Sequence, residues 1–284
     1  TLTSSSANLS FAAAAEYQHT INGGTIAMAT WSAGSFCRLT GITNSVPSGL
    51  NQPFSNFTWD CASQSANLTL NGQLTTVNGN LVINTTNDAL LTLASMASST
   101  YTLQVTGKLQ VNTGSWLAIV AGDNINATVN ISGDFELTGA TSSSSYFDFY
   151  YYTSGGATLN KVVMNVSGNY IQSGGLMDLA YGHSDAAAYN ELRLSGNFQL
   201  SGDAILYTGT SDNSVSNGLL VFTKAGTQTY TVANPLNIGY VNYRVNSGST
   251  LQLLSEVMLS SDATAVWAGQ FNVNNGGILD AGTQ

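Results

Sequence analysis

Short stretches of alternating apolar and polar residues recur along the chain, each closed by Gly, Asn or Ser. Alternation with period two sends one set of side chains to each face of a strand. The alternation itself repeats. Val105-Thr-Gly107-Lys-Leu109-Gln-Val111 returns as Ile131-Ser-Gly133-Asp-Phe135-Glu-Leu137 and as Val166-Ser-Gly168-Asn-Tyr170-Ile-Gln172. It returns again as Leu194-Ser-Gly196-Asn-Phe198-Gln-Leu200. An earlier copy is Leu70-Asn-Gly72-Gln-Leu74, and degenerate copies surround Gly226 and Gly269. Six or seven residues after most anchors comes a second glycine (Gly79, Gly114, Gly139, Gly174, Gly202 or Gly276), where positive φ allows a tight corner. A further strand follows, such as Trp116-Leu-Ala-Ile119 or Leu176-Met-Asp-Leu179.

The only helix-prone run, Ala12–Ala15, is too short to stand alone. Repeats 26 to 43 residues long, made only of strands and turns, predict a solenoid. The expected fold is all-β: a right-handed parallel β-helix with three strands per rung. Unequal repeat lengths disfavour a propeller; a pair of β-sandwiches is the other alternative. Residues 67–284 hold about seven rungs, a rod roughly 34 Å tall at ~4.8 Å per rung. Residues 1–66 lack the Gly anchor and contain Trp31, Cys37, Pro47, Pro53, Trp59 and Cys61. They are expected to form an N-terminal cap over the first strand edge. The C-terminal end repeats a fresh rung around Gly276, so further domains of the same polypeptide or stacked subunits are the expected partners there.

Composition narrows the function. Charged residues make up 7% of the 284, against roughly 25% in an average domain, and the formal net charge is −9. Six Lys and Arg cannot neutralise a phosphate backbone or hold an anionic membrane surface, which excludes nucleic acid. No apolar run approaches the ~20 residues of a membrane-spanning helix. Nothing in the sequence asks for a cofactor. The start at Thr1 lacks a Met and a basic-then-apolar leader, and reads as a mature segment. Cys37 and Cys61 are the only thiols; a disulfide between them is expected, with two buried free thiols as the alternative.

The N-terminal stretch Ile21-Asn-Gly-Gly-Thr-Ile26, Ala29-Thr-Trp31, Cys37, Thr40-Gly-Ile-Thr43 and Asn56-Phe-Thr-Trp59-Asp-Cys61 resembles the start of large secreted surface proteins of the Bacteroidota. The later Ser-Gly-Asn-Phe segments and Ser-Gly-Gly corners are similar to theirs as well. The resemblance implies export and an extracellular or outer-surface location. It implies no uniform activity and supplies no catalytic residue.

Candidate chemistry is sparse. Aligning the rungs on their glycines puts Asp148 beside Asp178, about 5 Å apart if both face outward. Such a pair suits acid/base work on a glycosidic bond; the plain alternative is two solvated or turn-forming carboxylates. His183 and Asp185 follow on the next rung. Calcium through Asp185, or Asp203 with Asp212, lacks a loop of ligand spacing. There is no Gly-x-Ser-x-Gly elbow, and Thr columns of the ice-binding kind are not seen. The aromatic run Tyr146 to Tyr152, with Tyr181, Tyr189 and Tyr207 after later strands, suggests a surface for glycans or a protein partner. Tyr150, Tyr152, Tyr181, Tyr189 and Tyr207 are the candidates, with core packing as the competing role. The function expected is thus a non-enzymatic structural or adhesive rod (stalk, fibre unit or adhesin segment); a polysaccharide-active enzyme or glycan-binding module is the alternative.

Overall fold

The computed structural model describes residues 4–96, 99–122, 124–151, 161–180, 190–208, 218–259 and 269–282. Among them there is no α-helix, only a 3-10 turn at Pro235–Asn237. The strands form three long parallel sheets of eight, eleven and seven strands, and a two-stranded one near the N-terminus. From Leu68 to Leu253 successive strands go in turn to the seven-, eight- and eleven-stranded sheets. Thr100–Val105, Leu109–Val111 and Ser115–Val120 make one rung, and Asn126–Ile131, Phe135–Leu137 and Ser145–Tyr150 make the next. This is the parallel β-helix that the alternation predicts.

The inward columns form the core. In the eleven-stranded sheet Phe57, Leu81, Leu109, Phe135, Tyr170, Phe198 and Tyr230 occupy successive register positions. The rings of Phe135, Tyr170, Phe198 and Tyr230 stack with centroids 5.3, 4.8 and 5.2 Å apart. That spacing is the inter-strand distance, so in-register stacking places like side chains at ring-contact distance.

The Ser-Gly-Asn motif has two separate causes. At the anchor glycine the backbones of neighbouring rungs nearly touch. Gly133 and Gly168 each donate their N–H to the anchor carbonyl one rung back, at 3.0 Å, and a Cβ on Gly196 would sit 2.0 Å from the Gly168 oxygen. These anchors have ordinary negative φ; the left-handed conformation belongs to other glycines, such as Gly114 at φ +78°. The following Asn or Asp closes a ladder from rung to rung. Asn169 Oδ1 accepts from the N–H of Asn197, and Asn197 Oδ1 from that of Thr229, both at 3.0 Å. Asp134 Oδ1 accepts from Asn169 in the same way at 2.6 Å.

Two expectations need correction. The N-terminal segment is itself built of rungs: Glu16–His19, Phe36–Leu39 and Asn56–Asp60 stack in parallel onto Leu81–Thr85 within the eleven-stranded sheet. It reads differently because its turns are shorter and its core is tied by Phe11, Trp31, Phe54 and Phe57, with Trp31 Nε1 donating to Gln52 Oε1 at 2.8 Å. Secondly, Cys37 and Cys61 are free and buried. Cys37 is in register with Phe57 on the next strand, so Cys61 lies four residues further along. At ~3.3 Å per residue that is roughly 13 Å, beyond the ~7 Å limit for a disulfide. Instead the Cys61 thiol donates to the Leu39 carbonyl at 3.3 Å. Burial pushes the Cys61 thiol up to about 11 and that of Cys37 higher still, so both are inert thiols rather than nucleophiles.

Candidate functional site

The seven-stranded sheet carries the site. Its strands are Leu68–Thr69, Leu90–Ala94, Ser115–Val120, Ser145–Tyr150, Leu176–Asp178, Ile205–Tyr207 and Ile238–Gly239. Leu91, Leu117, Phe147, Met177, Leu206 and Ile238 form its inward column. Alternation therefore turns the residues on either side of that column outward. One outward column is Leu90, Trp116, Tyr146, Leu176 and Ile205. The other is Thr92, Ala118, Asp148, Asp178 and Tyr207.

Asp148 and Asp178 are thus direct neighbours on adjacent strands, as their repeats suggest. They lie on the outer face of the sheet but not in solvent: Asp148 is 4% exposed and Asp178 0%. Together with Trp116, Tyr146, Tyr151 and Tyr207 they line a cleft of about 290 Å³, with Asp88 and Leu176 completing its wall. Trp116 Nε1 donates to Asp148 Oδ2 at 2.6 Å, and the Ala180 N–H donates to Asp178 Oδ1 at 2.8 Å. The Trp116 ring packs against Tyr146, 5.5 Å away, and edge-on against Tyr151 at 5.0 Å. Burial, and after it the neighbouring Asp178 carboxyl, push Asp148 well above the ordinary carboxylate range, against the pull of the Trp116 N–H. Two close acids in a dry setting share protons, so Asp148 is suited to donate one.

Of the predicted aromatic residues, Tyr207 lines the cleft. Tyr150 does not: it is fully buried in a column with Ala94 and Val120 that joins the core. Tyr152, Tyr181 and Tyr189, like His183, Asp185 and Asp212, lie outside the described residues. Asp203 is exposed in a turn. Sequence reasoning passed over Trp116 as a site residue, and placed Tyr146 and Tyr151 in the aromatic run without choosing them as candidates. Register was the available signal, because Trp116 and Tyr146 share a column one position to the side of Phe147.

Among the described residues no group of three or more His, Cys, Asp or Glu gathers as a metal site, and no helix is long and apolar enough to cross a membrane. The cleft is chemically a set of aromatic faces around a pair of carboxyl groups. Aromatic faces pack on the C–H faces of sugar rings, and carboxyls bond to hydroxyls. No protein-family model, curated protein or solved structure matches the chain.

Proposed function

We propose that this chain is a non-enzymatic, extracellular β-helical rod with an adhesive role, which recognises carbohydrate in the cleft of its seven-stranded sheet. The observation that carries the reading is the joining of Trp116, Tyr146, Tyr151 and Tyr207 around hydrogen-bonding carboxyls in one concave site. The low charge and rung-by-rung hydrogen bonding suit a scaffold exposed to changing salt and pH. The resemblance of its N-terminal stretch to Bacteroidota surface proteins supports display on or release from the cell. Exposed Val273, Ile278 and Leu279 on the last described strands support stacking of further rungs, from the same polypeptide or another subunit.

The test is retention on immobilised polysaccharides in native gels. Binding that Trp116→Ala weakens about tenfold supports the reading; no retention on any of a broad polysaccharide panel overturns it. Antibody labelling of the source cells tests the location, with label on the outer surface or along fibres as the expected result.

The register of Asp148 with Asp178 favours a second reading, hydrolysis of a glycosidic bond. Strand spacing of ~4.8 Å approaches the ~5 Å separation of carboxyls in retaining glycosidases. In that reading protonated Asp148 is the general acid and Asp178 the nucleophile. Release of reducing ends that Asp148→Asn and Asp178→Asn each abolish would establish it.

A further inference from the structure

The aromatic cleft does not end at its own rungs. A second cavity, of about 410 Å³, lies on the same face of the same sheet and is lined by Asn67, Thr69, Thr92, Ser95 and Gly122, among others. Tyr151 lines both cavities. A single outward column of the sheet connects them: Thr69, Thr92, Ala118, Asp148, Asp178 and Tyr207 follow one another strand by strand. Thr69 and Thr92 belong to the second cavity, and Asp148, Asp178 and Tyr207 to the first. Ala118, between them in this column, is fully buried and lines neither cavity, so Tyr151 is the residue the two cavities share. The neighbouring column supplies a wall residue to each, Leu90 to the second cavity and Trp116 to the first.

We infer that the two cavities are one groove, which runs along the helix axis and binds a linear, neutral glycan of about five sugar units. The inference rests on the carbohydrate reading above and adds the length, direction and charge of the ligand. From the strand of Thr69 to that of Tyr207 the column crosses six strands, hence five spacings or about 24 Å. An extended hexose repeat is about as long as one such spacing, about 5 Å. The groove also changes character along its length. Aromatic rings dominate at the Asp148 end. At the other end are hydroxyls and amides, where Thr69 Oγ1 lies 2.9 Å from Ser95 Oγ, which in turn donates to Asn71 Oδ1 at 2.9 Å.

Charge decides which glycan. Three carboxyls, of Asp88, Asp148 and Asp178, line the aromatic cavity. None of the six Lys and Arg side chains lines either cavity. Arg38, Lys108, Arg193 and Arg244 are held in ion pairs on the other two sheets. A uronate or sulfated chain would meet acidic groups, of which the Asp148–Asp178 pair shares a proton, with no cation to offset its own charge, whereas a neutral hexose or N-acetylhexosamine chain brings only hydroxyls and amides.

The test is calorimetric titration of the whole chain with linear oligomers of two to six units. The probes are β-1,4-linked glucose, β-1,4-linked N-acetylglucosamine and β-1,4-linked mannose, with galacturonate oligomers as the charged control. Affinity for one neutral series should rise at least tenfold from two to five units and then level off. Ser95→Trp, which fills the second cavity at a half-exposed position, should remove the gain beyond three units and spare the short oligomers. Ser95→Ala, which deletes only a hydroxyl, should keep most of that gain, and circular dichroism confirms that both variants fold. Affinity that does not change between two and six units overturns the groove while leaving carbohydrate recognition in place. Tighter binding of galacturonate overturns the charge argument. Binding of no oligomer in any series overturns the groove, and with no retention on polysaccharides it overturns the carbohydrate reading too.

Discussion

Trp116 Nε1 donates a 2.6 Å hydrogen bond to Oδ2 of Asp148, two residues along the neighbouring strand from its own register partner Tyr146. The bond ties an aromatic wall of the cleft to its acidic floor, so one residue serves both stacking and carboxyl orientation. The two roles separate by substitution. Trp116→Phe keeps a ring and loses the donor; Trp116→Ala loses both. On the carbohydrate reading, Trp116→Ala weakens retention on polysaccharide by about 1–2 kcal/mol, or roughly tenfold. Trp116→Phe retains at least half of that binding free energy. Equal losses in the two variants would show that the hydrogen bond, not the ring, matters.

The buried acid has a pH signature. Burial and then the Asp178 carboxyl raise Asp148 above its ordinary value, so the folded state holds a proton that the unfolded state has released. Stability linked to this group is therefore fully present below the ordinary carboxylate value of ~3.9. It is lost as pH rises from there through the raised value. Asp60 runs the other way: burial pushes it up, but hydrogen bonds from Asn84 and Arg38 hold it low, and its contribution is lost only on acidification. Thermal melting across pH 4 to 8 separates them. Asp148→Asn should flatten the decline in Tm above pH 4 and melt higher than the parent at neutral pH. An unchanged slope would mean that Asp148 titrates like a solvated carboxylate.

How much of this is legible in the sequence depends on what each feature needs. The Gly133, Gly168 and Gly196 repeats reveal the β-helix because close rung-to-rung contact at one corner admits no side chain, so the requirement is written into each copy. The pairing of Asp148 with Asp178 is legible from local context: each sits between large apolar residues, Phe147-Asp-Phe149 and Met177-Asp-Leu179, in the strand after the second glycine of its repeat, although they lie 15 and 10 residues after Gly133 and Gly168. Trp116 is not, because a column in a parallel sheet crosses inserts of different length and its aromatic neighbours are dispersed in the sequence. The N-terminal rungs read as a cap because their corners use other residues. At Gly41, for example, an added Cβ would lie 2.0 Å from the Thr20 carbonyl carbon, yet no Ser-Gly-Asn surrounds it. The disulfide fails on register, which cysteine spacing alone does not encode.

The thiols give a direct check on that register. Native protein should react with neither iodoacetamide nor an aromatic disulfide reagent, because both sulfurs are buried and their thiolates are disfavoured. After unfolding, two thiols per chain should label without prior reduction. Reductant should leave Tm unchanged. A mass two hydrogens lighter than the reduced chain, or a Tm that falls by several degrees in reductant, would show a Cys37–Cys61 bond and a different register for those strands.

The anchor glycines separate two costs that glycine usually hides together. Gly196 has ordinary φ, but a Cβ there would overlap the Gly168 oxygen at 2.0 Å, and the Gly168 carbonyl carbon lies 2.4 Å away. Neither atom belongs to a flexible side chain, so Gly196→Ala must push neighbouring rungs apart. Gly226 is the converse, with φ +95° and nothing within 4 Å of an added Cβ. Its cost is backbone strain alone, about 1–2 kcal/mol. Overpacking in a closed site costs about 1–3 kcal/mol or more, and at Gly196 it also strains the Asn169-to-Asn197 ladder bond. Gly196→Ala should therefore lower stability more than Gly226→Ala in urea titrations. Asn169→Ala, which deletes one ladder acceptor and keeps the corner, should cost only about 1 kcal/mol. If Gly226→Ala proves the more harmful, backbone strain at Gly226 outweighs close approach at Gly196, and the tight stacking at the Ser-Gly-Asn corner is not what holds the rungs together.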